Sequence, residues 1–326
     1  MEYRHRPVAR QSGPDFSATV PGNGYAWWYV DALSDCGRHG LTLIAMLGCV
    51  FSPWYAAARR RGVAEPLEHS ALNVALYGGG GRRWAMTERG ALDVQQSESR
   101  LAIGRSTLHW DGRELVVEVD EREAPWPRPL RGRLRVRPAA VVHRPFTLDA
   151  AQRHTWWPIA PRCRVELEFS APALRWSGHG YLDANEGRAP LEDDFDGWNW
   201  SRGSTGASTR VFYDTVPRAP DAAGRRLSLA FDDAGRVREV AAPPSRRLPP
   251  TPWGIARETR CDAGAAAEVL GTLESGPFYS RSLVRTQVGG APMTAFHESV
   301  SLRRFAARWV QALLPVRLPR HPIARP

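Results

Sequence analysis

The chain has 326 residues, 24% of them charged and 43% hydrophobic, with a net charge of +10; these are the values of a soluble globular protein with room for about two domains. All 44 basic residues are Arg, which excludes lysine Schiff-base chemistry and a Walker-type phosphate loop. The Arg residues are scattered rather than gathered on one helix or arm, so the charge does not point to a nucleic-acid partner. The 29 Gly and 27 Pro punctuate short β-branched and aromatic runs, a spacing that predicts an all-β chain.

In chain order, the N-terminal segment with Arg4, Arg6 and Arg10 before Pro14 lacks the apolar core of a signal peptide. Strands are predicted at Trp28–Leu33 and Leu41–Leu47. The stretch Leu41–Ala58, followed by Arg59, Arg60 and Arg61, has the outline of a membrane span with a positive flank. Gly48, Ser52 and Pro53 interrupt it, and a buried strand followed by a Pro-containing turn explains the same residues. Asn73–Tyr77 and Trp84–Glu88 read as strands around a flexible Gly78–Gly81 loop. Leu108–Trp110, Asp111-Gly112 and Leu115–Val119 form a hairpin, and Leu227–Phe231, a turn at Asp232–Gly235 and Val237–Val240 form another. Val165–Phe169 and Arg210–Tyr213 are further strands.

Helical periodicity is confined to Phe305–Leu314, where Phe305, Trp309, Leu313 and Leu314 line one face. That amphipathic helix either closes one end of a barrel or touches a membrane surface. So many strands imply two tandem antiparallel β-barrel domains, residues 1–188 and 189–326, joined in the irregular stretch Asp183–Asp196. Pro217–Gly224 is a loop and Pro243–Pro252 a Pro-rich connector. Cys36, Cys49, Cys163 and Cys261 form neither a CxxC pair nor a zinc spacing, which predicts no disulfide framework and a reducing cytoplasm.

Chemistry concentrates between His154 and Trp200, which holds Trp156, Trp157, Trp176, Trp198 and Trp200 among the thirteen Trp of the chain. Strand alternation puts His154 and Trp156 on one face, His179, Tyr181 and Asp183 on one face, and Trp198 and Trp200 on one face. Such a pattern is either a Trp-rich core with a satisfied Asp and His, or an apolar pocket with a few directed polar groups. Asp183, Asn185 and Gly187 echo an EF-hand opening, but Gly187 stands in place of an oxygen ligand and no glutamate closes the loop. The acidic run Glu192, Asp193, Asp194 and Asp196 has no neighbouring His and reads as a solvated loop. No G-x-S-x-G, H-E-x-x-H or G-x-G-x-x-G motif is present, which leaves acid–base chemistry with no metal and no cofactor.

Several separated strings carry a family resemblance: Tyr25-Ala-Trp-Trp-Tyr-Val-Asp-Ala-Leu33, Ala71-Leu-Asn-Val-Ala-Leu-Tyr77, Arg83-Trp-Ala-Met-Thr-Glu-Arg89, Tyr181-Leu-Asp-Ala-Asn-Glu-Gly187, Pro190-Leu-Glu192 and Trp198-Asn-Trp-Ser-Arg202. In this order they resemble the carotenoid 1,2-hydratases, also called hydroxyneurosporene synthases, from about Gly24 to about Phe305. The resemblance implies two lipocalin-like barrels and a lyase that hydrates acyclic carotenes in photosynthetic bacteria. It maps an essential aspartate onto Asp183 with Tyr181 beside it, and a His-x-Trp motif onto His154 and Trp156. Trp28, His179, Trp198 and Trp200 are the candidate substrate-binding residues. Cys36 stands in the turn Ser34-Asp-Cys-Gly37 where a polar residue is expected.

Hydrating an isolated alkene needs a protonated carboxyl, because the difficult step is making a tertiary carbocation from a hydrocarbon. Burial of Asp183 among aromatic rings is expected to favour that neutral form. The ring of Trp156 or Tyr181 would face the cation, and His154 or the Asp183 carboxylate would take the proton of water, with orientation of Asp183 as a second role for His154. A barrel interior or the seam between two barrels would hold the polyene. A carotene substrate implies peripheral contact with the cytoplasmic face of a bacterial membrane. The competing readings are a non-catalytic isoprenoid carrier and an acid-catalysed isomerase or cyclase of another polyene.

Overall fold

The computed structural model describes residues 9, 10, 13–79, 81–206 and 208–321. The segment with Arg4 and Arg6, read above as lacking a leader, lies outside them. The chain divides into two compact units: residues 1–147 with 153–190 and 312–326, and residues 148–152 with 191–311. Both are built on antiparallel sheet, and among the described residues no helix is long and apolar enough to cross a membrane.

In the first unit a short ladder pairs Ala9–Arg10 (β1) with Gly13–Pro14 (β2). The main strands are Tyr25–Ser34 (β3), His39–Leu47 (β4), Ser70–Gly78 (β5), Arg83–Arg89 (β6), Val94–Gln96 (β7), Arg100–Ile103 (β8), Ser106–Trp110 (β9), Leu115–Arg122 (β10), Pro129–Pro138 (β11), Phe146–Thr147 (β12), His154–Ala171 (β13) and Ala173–Gly187 (β14). Their order is β6-β5-β4-β3-β14-β13-β11-β10-β9-β8-β7, with β12 on β13. Side chains close the wall where the backbone ladder stops. Glu123, just past β10, accepts from Arg83 Nε at 2.7 Å and from the Trp84 amide at 3.2 Å, and Glu121 accepts from Arg89 at 2.7 Å. The C-terminal segment covers the β6 edge: Pro319 and His321 exchange backbone hydrogen bonds with Glu88, and Arg320 reaches the Glu88 carboxylate at 2.8 Å.

The interior face of this wall is apolar. Trp28, Val30, Leu41, Leu43, Leu72, Val74, Leu115, Val117, Leu134, Val165 and Leu182 belong to one buried apolar cluster contributed by strands all around the sheet. Alternation points one apolar row per strand inward. The Leu41–Ala58 stretch is strand β4 followed by a short helix, Pro53–Arg59 (α1), capped by the Ser52 hydroxyl on the amides of Trp54 and Tyr55.

The second unit comprises the short helix Leu191–Asp194 (α2) and strands Phe195–Thr205 (β15), Ser208–Pro217 (β16), Arg226–Phe231 (β17), Val237–Glu239 (β18), Ser245–Leu248 (β19), Arg257–Arg260 (β20), Glu268–Ser275 (β21), Tyr279–Val288 (β22) and Ala291–Ser301 (β23). The sheet order is β18-β17-β16-β15-β23-β22-β21, with β19 and β20 paired separately. The stretch read as irregular from Asp183 is strand as far as Gly187. Helical character near the C-terminus is split between Leu302–Phe305 (α3) and Arg308–Leu313 (α4), so Phe305 and Val310 are buried whereas Trp309 and Leu313 are exposed.

His297 on β23 is fully buried and its Nε2 donates to the Glu258 carbonyl of β20 at 2.8 Å. Burial pushes its pKa down from 6.5 to about 4. The unfolded chain therefore takes up this proton before the folded one does, and stability is complete above pH 6.5 and lost as pH falls towards 4. We expect the second unit to lose on the order of 3 kcal/mol between pH 7 and pH 4 through this one group. Urea denaturation of His297→Gln across that range should show a flatter pH dependence than wild type, and an unchanged slope would place the proton uptake elsewhere.

Candidate active site

Strand β14 is central, with β3 on one side and β13 on the other. Its register sets Asn185 opposite Trp27 and Trp156, Asp183 opposite Tyr29, Tyr181 opposite Asp31, and Gly187 opposite Tyr25 and His154. These residues share the face opposite the aliphatic interior, into which Trp28, Val30, Leu182 and Ala184 point. An outer face of a barrel wall is ordinarily polar and wet. Here it is buried: Asp183 is 4% exposed, and Asp31, His154, Trp156 and Tyr181 are 0% exposed.

Pro158 and Pro161 have no amide to give to the ladder, and β13 shifts register between Trp157 and Ala160 and again between Ala160 and Cys163. Asp183 lies opposite the first bulge, between the Trp157–Ala184 and Ala160–Leu182 pairs. Bulges beside sites re-aim side chains, and here the Trp156 indole is turned onto the carboxylate.

Two donors converge on one oxygen. Trp156 Nε1 donates to Asp183 Oδ2 at 2.8 Å, and Tyr181 Oη donates to the same atom at 2.9 Å. Burial first, and then the Asp183 charge, push the Tyr181 phenol well above its ordinary pKa of 10, so it remains a donor throughout the physiological range. An indole N–H can only donate. With Oδ2 so occupied, a proton on the carboxyl belongs on Oδ1. Trp156 was expected to offer its ring to a cation; what the structure shows at Asp183 is its N–H.

His154 Nδ1 lies 2.9 Å from Tyr25 Oη, with the two rings stacked at 5.8 Å. The approach depends on Gly187, where a Cβ would fall 2.3 Å from the Tyr25 ring and 2.7 Å from His154 Nδ1. His154 pairs with Gly187, four residues along β14 from Asp183 and so roughly 13 Å away along the strand. Its place on the shared face is as expected, but it is no near neighbour of Asp183 in register. The other candidates separate. Trp28 packs edge-on against Phe16, 5.0 Å between ring centroids, in the aliphatic core, because period-two alternation turns it away from Asp183. His179 shares a face with Tyr181 but sits where β14 emerges into solvent, 65% exposed with Nε2 3.7 Å from Asp35. Trp198 and Trp200 are buried on one face of β15 in the second unit, Trp198 lying 6.4 Å from Tyr213.

The residue not singled out from sequence is Asp31. It is fully buried on β3, accepts from Tyr29 Oη at 3.0 Å, and stands directly across from Tyr181. The one available signal was an acidic residue inside the aromatic run Trp27-Trp28-Tyr29-Val30-Asp31.

Residues 43–325 match the family model described as carotenoid hydratase CrtC. The chain belongs to that family. It is 56% identical to the acyclic carotenoid 1,2-hydratase of Thiocapsa roseopersicina, over 94% of this chain and 76% of that protein. Against the protein of the same name from Rubrivivax gelatinosus the identity is 47% over the same shares, and against that of Cereibacter sphaeroides it is 39%, over 86% of this chain and 98% of that one. Two solved structures share the fold at 12% identity: a Nitrosomonas europaea protein assigned as AttH, with a TM-score of 0.61 over 85% of this chain and 92% of that one, and CghA, with 0.53 over 90% and 96%. As a carotenoid hydratase the chain is a hydro-lyase, and the geometry around Oδ2 can be tested directly. A hydrogen bond to a charged group contributes about 1.5–3 kcal/mol. Trp156→Phe and Tyr181→Phe should therefore each lower turnover by about 10- to 100-fold with little change in KM. A Trp156→Phe enzyme with normal turnover would return the role of Trp156 to its ring.

Proposed function

We propose that the chain adds water across the terminal C1=C2 bond of acyclic carotenes, such as neurosporene and lycopene, with Asp183 as the proton donor and without a cofactor. The observation that carries this reading is a buried carboxyl with two fixed donors on one oxygen. Burial favours the neutral acid, and the two donors favour the anion left behind. Because that anion forms only as the proton leaves, the donors act on the transition state more than on the ground state.

The π electrons of the alkene form the new C–H bond at C2 with the proton from Asp183 Oδ1. The positive charge appears on C1, where tertiary substitution holds it, and ring faces on the same wall stabilise a cation further. Water then bonds to C1 and gives one proton to a base. Within the second unit, Trp198 and Trp200 remain the candidate residues for binding apolar substrate. For delivery from a bilayer, the second unit offers an exposed pair, Trp253 and Trp309, stacked at 6.3 Å with the Arg304 guanidinium 5.6 Å from the Trp309 ring. Amphipathic rings beside cations suit the headgroup level of an anionic membrane.

Asp183→Asn keeps the shape of the protonated carboxyl and cannot give up a proton to carbon. In protein dialysed against a strong chelator, wild type should hydrate lycopene undiminished, while Asp183→Asn should be slower by about 10²–10⁴-fold or more with carotene binding intact. Near-normal hydration by a folded Asp183→Asn enzyme would overturn the assignment.

A further inference from the structure

We propose that Asp31 is the base that deprotonates the attacking water. The inference rests on the reading of Asp183 as the acid. C1 and C2 are bonded neighbours, so acid, alkene, water and base form one short row, and the base must lie within a few ångströms of the acid's reach. Two carboxyls that share such work with a water between them stand about 6.5–9.5 Å apart in inverting glycosidases. Asp31 is the diagonal cross-strand neighbour of Asp183, since Asp183 faces Tyr29 and Tyr181 faces Asp31. Diagonal neighbours on one face stand roughly 7–8 Å apart at the backbone, which leaves their side chains within reach of one short row. His154 is set by register roughly 13 Å along the strand from Asp183, beyond that row.

The two carboxyls are also dressed alike. Tyr181 donates to Asp183 at 2.9 Å and Tyr29 donates to Asp31 at 3.0 Å, each from two residues along its own strand, with the two rings edge-on at 6.2 Å. On its other side Asp31 pairs with Thr42 of β4, whose hydroxyl accepts from Tyr77. Among the described residues, register places Tyr181 and Asp183 on β14, Tyr29 on its own strand and Tyr77 on β5 around it. The reaction balances. The C1–O bond forms as an O–H bond of the water breaks, and the proton goes to Asp31 while Asp183 is left ionised. Return of that proton to Asp183, through solvent or the tyrosine hydroxyls between them, resets the pair.

The test uses lycopene, the full chain, and azide, an anionic nucleophile that needs no deprotonation. Wild type, Asp31→Asn and Asp183→Asn are assayed side by side for the C1 alcohol and for the C1 azide adduct. Asp31→Asn should lose hydration by about 10²–10⁴-fold and regain turnover with azide as the adduct, whereas Asp183→Asn should form neither product. Hydration by Asp31→Asn within a few-fold of wild type, or loss that azide does not restore, overturns the proposal. Should Asp31→Asn not fold, Tyr29→Phe replaces it. Loss of the Tyr29 hydrogen bond to Asp31 should lower hydration more than azide addition, and an equal loss of both products overturns the proposal. A wild type that adds no water to lycopene would instead remove the hydratase reading itself.

Discussion

The hydrogen bonds from Trp156 and Tyr181 to a single oxygen of Asp183 are the constraint on which the site depends. Both donors must be fixed within a few tenths of an ångström, and only a wall with fixed register can do that. Tyr181 reaches Asp183 because the two are one pleat apart on β14. Trp156 reaches it from β13 across a bulge that Pro158 and Pro161 impose. The buried aliphatic layer behind them prevents the strands from slipping, because a one-residue slip would send Asp183 into the core.

The two rows of each strand divide the work. One row of each strand, including Trp28, Val30, Leu182 and Ala184, is spent on the core, and the proposed site residues occupy the alternate row. A carboxyl, an imidazole and several hydroxyls placed inside would have left polar groups among Leu and Val with few partners. On the outer face they meet one another: Tyr25 with His154, Tyr29 with Asp31, and Tyr181 with Asp183.

Much of this was legible in the sequence, and the limits are physical. Alternation alone put Tyr181 with Asp183 and His154 with Trp156, and turn residues gave both hairpins at their observed places. Alternation does not say which face is the core when both are buried. Strand β3 is buried along nearly its whole length, so Trp28 looked as suitable for a site as Tyr29. Nor does it say where a strand leaves the interior, which is why His179, on the correct face, lies in solvent. Asp31 and Tyr181 are 150 positions apart in the chain, and only the β3–β14 pairing makes them neighbours. Local pattern carries no record of such long-range register.

The central claim is that the wall delivers a solvent-derived proton to C2 and a hydroxyl to C1. Turnover of lycopene in deuterium oxide, followed by mass spectrometry and NMR of the product, tests it most directly. The account predicts a C1 alcohol with one non-exchangeable deuterium on C2. A hydrated product without deuterium on carbon, or an isomer with no added water, would contradict it.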